Sequence, residues 1–303
     1  MTASQAISSG LGMTGRSKWM VTIFFGCNLL LAAALAAPMH GAIADHVGHS
    51  SVGNELVQGF SAAWLSEFTI NYEDFLKGFS TAVMWAGVLF LALNTVLSAG
   101  AFEVFARGQG AYMHAFGRGT GKYFGRFARI VILASILYFI AFLLFNVVVQ
   151  GWLGRAFRDV NPDRLHFYLN WLRVILLFFA VISISALVDY AKADLVIDEH
   201  RSAIAAFMHA TGFVLSHFGR VMAIYCTLGL LTTLSIVVYV GFARIMPQGS
   251  VLTILIWFLV AQALLWLRWM FRLASWGAAT AYYGAHAAAR QPLPEPVTAA
   301  VQV

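Results

Sequence analysis

The chain has 303 residues, of which 60% are hydrophobic and 11% are charged. Its mean hydropathy of +0.77 is far above that of a soluble domain of this length, so a soluble enzyme and a disordered protein are both excluded. The apolar residues form long runs rather than short alternating segments, which favours transmembrane helices over a β-barrel. The sequence therefore predicts an integral membrane protein.

Six stretches are long and apolar enough to cross about 30 Å of hydrocarbon, a distance that takes roughly 20 helical residues. They cover residues 19–37, 80–100, 130–150, 174–190, 221–241 and 251–271. An alternative for the first stretch is a cleaved secretory signal, because Arg16 and Lys18 precede it and small residues precede Pro38. Asn28 and the long polar leader favour a retained span, and cleavage would leave five spans.

The distribution of basic residues predicts the orientation, since cytoplasmic segments retain more Lys and Arg. With both termini inside, 13 of the 19 Lys and Arg residues lie in inner segments and 6 lie in outer segments. We therefore expect a multi-pass protein of a bacterial-type inner (plasma) membrane with both termini in the cytoplasm. Cys27 and Cys226 both fall inside predicted spans, so no disulfide framework is implied.

An internal repeat gives the predicted organisation. The tripeptides Met-His-Ala and Phe-Gly-Arg follow each other twice, within 113–126 and within 208–220, and Gly15-Arg16 is a degenerate third copy. We predict an all-α membrane protein whose six transmembrane helices form three repeated hairpins, each preceded by a cytoplasmic amphipathic helix. The predicted sub-units are 1–100, 101–190 and 191–290, followed by a disordered C-terminal tail at 291–303. In the third sub-unit Ile204, Met208 and Leu215 share one apolar helical face.

Two segments carry a resemblance to known proteins. The first runs from Glu103 to Arg126, and the second from Asp189-Tyr190-Ala191-Lys192 through Phe218-Gly219-Arg220. They resemble uncharacterised bacterial six-span integral membrane proteins and, more distantly, the membrane domain of glycerophosphodiester phosphodiesterases. This sequence holds no counterpart of the soluble barrel of that enzyme family. The resemblance therefore implies a membrane-embedded helical module and does not imply phosphodiesterase activity.

Motifs of nucleophilic catalysis and of phosphate binding are not found in the sequence, so we expect no enzyme activity and no cofactor. The first outer connection contains three histidines near Asp45, and imidazoles and carboxylates are ligands of zinc. These histidines, His40, His46 and His49, are weak metal candidates. The favoured interpretation is that they bind no metal.

Charged residues near the ends of the spans are the other candidates. Because a buried charge needs a partner, we expect structural ion pairs among Glu103, Asp189, Arg268 and Arg272. Basic residues before the outgoing spans are predicted to lie near anionic lipid head groups: Arg118, Lys122, Arg126 and Arg220. The alternative is that the helices carrying them only pack over the spans.

Three functions fit these features. The favoured one is a non-enzymatic scaffold or accessory subunit that engages lipids or a membrane partner. The second is a transporter or lipid-handling permease with a cavity lined by Asn28, Asn146 and Gln262. The third is an enzyme acting at the outer face through His46 and His49. Expected partners are anionic membrane lipids, a membrane protein or a second copy of the chain, and not nucleic acid, because the net charge of +6 comes largely from inner loops.

Overall fold

The computed structural model describes residues 1–48, 61–107, 113–156, 163–200, 202–245 and 250–290. Of these residues 96% are helical and none lies in a strand. A π-helical segment, Leu144–Val149, joins the fifth helix to the sixth. The α-helices of the described chain are α1 Ala3–Arg16, α2 Lys18–Gly48, α3 Ala62–Asn71, α4 Glu73–Arg107, α5 Met113–Leu143, α6 Gln150–Ala156, α7 Asp163–Ile197, α8 Ala203–Ser216, α9 Phe218–Ile245 and α10 Val251–Arg290.

The prediction of six spans is confirmed. Six helical stretches are long and apolar enough to cross a membrane, and each contains one of the predicted spans. This pattern is that of a multi-pass transmembrane protein. The stretches are Lys18–Gly48, Glu73–Arg107, Met113–Trp152, Phe167–Ile197, Phe218–Phe242 and Val251–Ala289.

The helices continue beyond the predicted ends of the spans. The sequence predicts that the first span ends before Pro38, whereas α2 passes through this proline and ends at Gly48. Proline removes one backbone hydrogen bond from a helix. The neighbours Ala36, Ala37 and Met39 are strong helix formers, and their propensity favours continuation of the helix past the proline.

The segments that precede the outgoing spans differ from one another. Separate helices α1 and α8 come before the first and fifth spans, and they end at the breaks marked by Ser17 and His217. Before the third span there is no such break, because residues 113–143 form the single helix α5. Gly119 keeps this helix close to α4, since a Cβ at Gly119 would lie 2.5 Å from the Cβ of Glu103. The three repeated hairpins stay a prediction.

Helix α8 buries a face of alanines together with Phe213 and Val214, and exposes other large apolar residues. Ala203, Ala206 and Ala210 are at most 3% exposed, whereas Met208 and Leu215 are 67% and 69% exposed. The apolar stripe predicted from the sequence therefore lies on the exposed side of α8. Such a face suits contact with the apolar part of a membrane interface.

The chain divides into two compact units, residues 1–21 with 98–303 and residues 22–97. In the larger unit, α1 packs on α10 and the core is rich in aromatic side chains. In the smaller unit, the rings of Trp64, Phe68 and Tyr72 stack along α3, with centroids 5.3 and 4.9 Å apart. The largest fully buried aromatic side chains of the larger unit are Phe102, Tyr123, Phe127, Tyr190 and Tyr282.

Candidate functional site

Asp189 of α7 is the centre of a buried contact between three helices. Its side chain is fully buried, and Arg272 of α10 places Nη1 3.0 Å from Oδ2 and Nη2 3.2 Å from Oδ1. Tyr225 of α9 donates its hydroxyl to Oδ2 at 2.8 Å. Both carboxylate oxygens therefore have donors, and this satisfies a charge that would otherwise be costly to bury. The contact joins α7, α9 and α10.

Lys192, three residues after Asp189, extends this contact to further helices. It is 7% exposed, and its Nζ donates to the hydroxyl of Ser98 in α4 at 3.4 Å. The same nitrogen lies 5.5 Å from the ring centroid of Phe127 and 5.7 Å from that of Trp276. Aromatic faces stabilise an ammonium that has lost its water. The charged cluster, as we name it from here on, comprises Asp189, Lys192, Tyr225 and Arg272.

Glu103 forms a second buried contact, between α4 and α5. Its side chain is 2% exposed, and its Oε1 accepts hydrogen bonds from Arg107 and, at 2.9 Å, from Arg118. The two guanidinium groups are about half exposed. Hydrogen bonds between charged groups of this kind are stronger than neutral ones, so Glu103 holds the start of α5 against α4.

Two of the residues predicted at lipid head groups hold the turn between α7 and α8. Lys122 donates to Oε1 of Glu199 at 2.6 Å, and Arg126 donates to the carbonyl oxygen of His200 at 3.3 Å. The hydrogen bond from Lys122 lowers the pKa of the Glu199 carboxyl group, which favours the ionised pair. Glu199 has a φ of 51°, a left-handed conformation that is costly for this residue type. The turn is thus fixed by basic side chains of α5.

The other two predicted head-group residues differ in their surroundings. Arg118 is engaged by Glu103, as described above, and Arg220 is exposed at the start of α9. Contact of these four basic residues with lipid stays a prediction. Three of them have protein acceptors in the structure, which agrees with the alternative that the segments carrying them also pack over the spans.

A groove lies between α9 and α10. Its volume is about 260 Å³, close to the lower limit for small-molecule sites. Thr232 and Ser235 face it, but their hydroxyls donate to carbonyl oxygens of their own helix at 2.9 and 2.8 Å. The groove therefore offers mainly apolar contacts. Its lining residues are Thr232, Ser235, Ile236, Tyr239, Ala261, Leu264, Leu265, Arg268 and Phe271.

Arg268 is the charged residue of this α9–α10 groove. It lies one helical turn before Arg272, yet within the described chain it forms no ion pair, unlike Arg272, Glu103 and Asp189. Its side chain is exposed. A guanidinium beside an apolar groove can bind the phosphate of a lipid whose acyl chain lies along the helices.

Two of the histidines predicted as weak metal candidates have different surroundings in the structure. His46 is 8% exposed, and its ring packs against Phe68 and Tyr72 with centroid distances of 5.5 Å each. His40 is exposed on the same helix. His49 lies outside the described residues. His46 is therefore an aromatic packing residue of the smaller unit.

Two of the three amide residues predicted to line a transport cavity hydrogen-bond to other side chains. In the smaller unit, Asn94 donates to Asn28 at 3.4 Å. In the larger unit, Arg173 donates to Asn146 of the π-helical segment at 3.0 Å. Gln262 lies in α10 with a buried side-chain oxygen that accepts no hydrogen bond within the described chain. None of the three is among the residues that line the α9–α10 groove.

One group of metal-ligating side chains was missed by the sequence analysis. Asp194, His200 and His209 come together where α7 ends and α8 begins. The sequence signal is a pair of aspartates and a pair of histidines around the exit of the fourth span. The positions of Asp194, His200 and His209 match no linear metal-binding motif, so the sequence alone did not indicate the group.

Comparisons of the chain with protein-family models, curated proteins and solved structures find no match. The resemblance to the membrane domain of phosphodiesterases stays a prediction.

Proposed function

We propose that this chain is a non-enzymatic scaffold or accessory subunit of a bacterial-type inner membrane, with both termini in the cytoplasm. It engages a membrane partner through the N-terminal half of α10, which begins at Val251 and is distant from the charged cluster. The observation that carries this proposal is the exposure of most side chains in that half of the helix.

The distal half of α10 lacks the packing that the other end of the same helix has. Leu252, Ile254 and Phe258 are 66%, 56% and 55% exposed. Successive positions on a helix are rotated by about 100°, so Leu252 and Ile254 point to nearly opposite sides of the helix. Among residues 251–260 Trp257 alone is buried, with its ring 5.3 Å from that of Tyr239 in α9. A transmembrane helix that packs within its own chain buries one face. This segment therefore suits a helix of a partner protein or of a second copy.

The charged cluster gives this exposed half a rigid base. Asp189, Tyr225 and Arg272 join the ends of three spans through charge-assisted hydrogen bonds, and small residues bring α1 onto α10. Each acidic oxygen of Asp189 already has a donor, so the geometry is that of a structural contact. A docking subunit needs a helix that is held in place at one end and has an apolar surface for its partner, and α10 offers both.

Photo-crosslinking in native membranes tests this proposal. A benzoyl-phenylalanine is placed at Phe258 in α10 or, as a matched control, at Phe139 in α5; the two side chains are 55% and 62% exposed. We expect Phe258 to give one discrete crosslinked protein band and Phe139 to give mainly lipid adducts, because α5 packs on its chain through Ala134 and Ala141. Lipid adducts alone from both positions would contradict the scaffold function.

A lipid-handling function is the second candidate, and the α9–α10 groove favours it. The groove is apolar along its length and has a guanidinium, that of Arg268, beside it. This combination matches an anionic phospholipid, with the phosphate at Arg268 and one acyl chain between Tyr239 and Ala261. A lipid bound in this way would also be compatible with a partner at the distal half of α10.

The lipid candidate is tested by mass spectrometry of lipids that copurify with the protein in mild detergent. We expect Arg268→Gln to lower the ratio of bound anionic phospholipid to protein several-fold. Arg155→Gln is the matched control, because it removes the same charge from an exposed residue of α6 that hydrogen-bonds its own helix at 3.1 Å. Equal lipid retention by both variants argues against lipid binding at the groove.

A further inference from the structure

The end of α7, the turn after it and the start of α8 bring three potential metal ligands together. Asp194 of α7, His200 of the turn and His209 of α8 each offer one ligand atom, and these atoms lie within 4.8 Å of one another. Nε2 of His200 is 3.7 Å from Oδ1 of Asp194, and the two imidazole centroids are 5.1 Å apart. In the part of the chain that the structure describes, no other three His, Cys, Asp or Glu side chains lie close enough together to share a metal ion.

The buried carboxylate of Asp194 lacks a partner for one of its oxygens. The residue is fully buried, and Oδ1 accepts the hydroxyl of Tyr283, but Oδ2 has no hydrogen-bond partner within the described chain. An acceptor that is buried without a partner costs free energy, and this cost is larger for a charged group. A cation bound to this carboxylate would compensate its buried charge.

The surroundings of Asp194 resemble the outer shell of a metal site. Tyr283 donates to Asp194, and its hydroxyl oxygen lies 2.9 Å from Oδ2 of Asp198, so this single donor stands between two carboxyl groups. Outer-shell hydrogen bonds of this kind fix the ligands of bound metals. The turn that carries His200 is itself held by Lys122 and Arg126. The carbonyl oxygen of His200 is therefore hydrogen-bonded to α5.

Access from solvent is also present. His209 is exposed, and the side chain of His200 is 31% exposed, so an ion can reach the carboxylate without unfolding of the span. Ligand atoms of a tetrahedral zinc site lie about 2.0 to 2.2 Å from the metal. Binding would draw the three ligand atoms, which lie within 4.8 Å of one another, closer together around the ion.

We propose that Asp194, His200 and His209 form a binding site for a divalent transition-metal ion of the zinc class. Two imidazoles favour such ions over Mg²⁺ and Ca²⁺, which prefer oxygen ligands. Three protein ligands leave one coordination position for water. The ion links α7 to α8, so its binding stabilises the position of α8 against the end of the fourth span. This site is independent of the proposed scaffold function.

Cobalt binding tests the site. The full chain, carrying a purification tag without histidines, is freed of metal with a chelator and titrated with Co²⁺ in detergent. We expect one equivalent of Co²⁺ with the intense visible bands of four-coordinate geometry, and displacement by one equivalent of Zn²⁺. His209→Ala is expected to weaken binding by at least about 100-fold, and Tyr283→Phe by about tenfold.

The control is His217→Ala. His217 belongs to another histidine pair, with its ring centroid 4.9 Å from that of His286, and it is not one of the three proposed ligands. Its substitution is expected to leave Co²⁺ binding unchanged. Because His209 is an exposed helical residue, His209→Ala is expected to keep the helical circular dichroism of the parent protein.

Hydrogen exchange gives a second readout. Zn²⁺ is expected to slow amide exchange in residues 203–216 of the parent protein and not in His209→Ala. The proposal is overturned if the parent chain binds no more Co²⁺ than His209→Ala, since Asp194 and His200 would then form only an ion pair. A preference for Ca²⁺ or Mg²⁺ over Zn²⁺ would overturn it as well.

Discussion

Asp189 shows how single residues determine the stability of this protein. Its carboxylate is fully buried and is neutralised by Arg272, which is itself 36% exposed. Removing one partner of a buried ion pair leaves the other charge without compensation, at a cost of about 3 to 5 kcal/mol. The partial exposure of Arg272 places the present case at the lower end of that range.

We therefore expect Asp189→Asn to lower the free energy of unfolding by about 3 kcal/mol. The measurement is the shift of the thermal unfolding midpoint in detergent. Glu73→Gln serves as the matched control, because Glu73 pairs with Lys77 at 2.7 Å but both side chains are about two-thirds exposed. An exposed pair contributes little, so this variant is expected to keep the midpoint of the parent. Equal shifts for both variants would contradict the role of the charged cluster.

The sequence indicated which residues need a partner but did not determine which partners they have. Asp189, Arg268 and Arg272 stand at the ends of spans, and the cost of burying a charge predicts ion pairs there. Arg268 and Arg272 are one helical turn apart, and the sequence gives no reason to prefer either as the partner of Asp189. Only the register of α10 against α7 places Arg272 at the carboxylate and Arg268 beside the groove.

The group formed by Asp194, His200 and His209 could not be predicted for a related reason. The two histidines are brought together by a turn in which Glu199 has a φ of 51° and Ser202 caps α8. A left-handed conformation at a glutamate is not visible in a single sequence, because it is stabilised by contacts from α5. The position of each helix along the chain follows from the local sequence pattern, whereas this group of ligands depends on contacts between helices.

At the scale of the elements, the spans were predictable and their ends were not. Apolar runs of about 20 residues identify transmembrane helices regardless of their neighbours. The end of α2 depends on whether a helix continues past Pro38, and the start of α5 depends on the close approach of Gly119 to α4. The first depends on the helix propensity of the residues around Pro38, whereas the second involves packing that local propensity does not encode.

The contact between α1 and α10 depends on the absence of side chains. A Cβ at Gly10 would lie 2.3 Å from the carbonyl oxygen of Ala274 and 2.7 Å from the amide nitrogen of Ala278. Both are backbone atoms, so the two helices would have to move apart. Small residues at such contacts let helices approach closely in a membrane.

We expect Gly10→Ala to destabilise the protein by about 1 to 3 kcal/mol through overpacking, even though alanine favours a helix by about 1 kcal/mol. Gly12→Ala is the control, because a Cβ at Gly12 meets nothing within 4 Å. It is expected to leave the thermal unfolding midpoint unchanged or slightly raised. A loss of stability in Gly12→Ala as large as that in Gly10→Ala would show that α1 does not need this close contact.

At the scale of the whole molecule, six spans and the distribution of charge predict one orientation. An even number of spans places both termini on the same side of the membrane. Basic residues favour the cytoplasm for the segments before the first, third and fifth spans and after the sixth. In that orientation α1 and α8 and the proposed metal ligands all lie on the cytoplasmic side. The ends of the spans that they adjoin also contain the charged cluster.

The orientation is measured with reporter proteins fused to the chain after α10 and after α6. We expect green fluorescent protein to fluoresce when it is fused after α10, and alkaline phosphatase to be inactive there but active when it is fused after α6 in a chain truncated at residue 156. An N-terminal epitope retained on the membrane protein and inaccessible in intact cells would show that the first span is not cleaved. Loss of this epitope would mean five spans. An active phosphatase after α10 would place the C-terminus outside and contradict the charge argument, because 13 of 19 basic residues lie in the segments assigned to the cytoplasm.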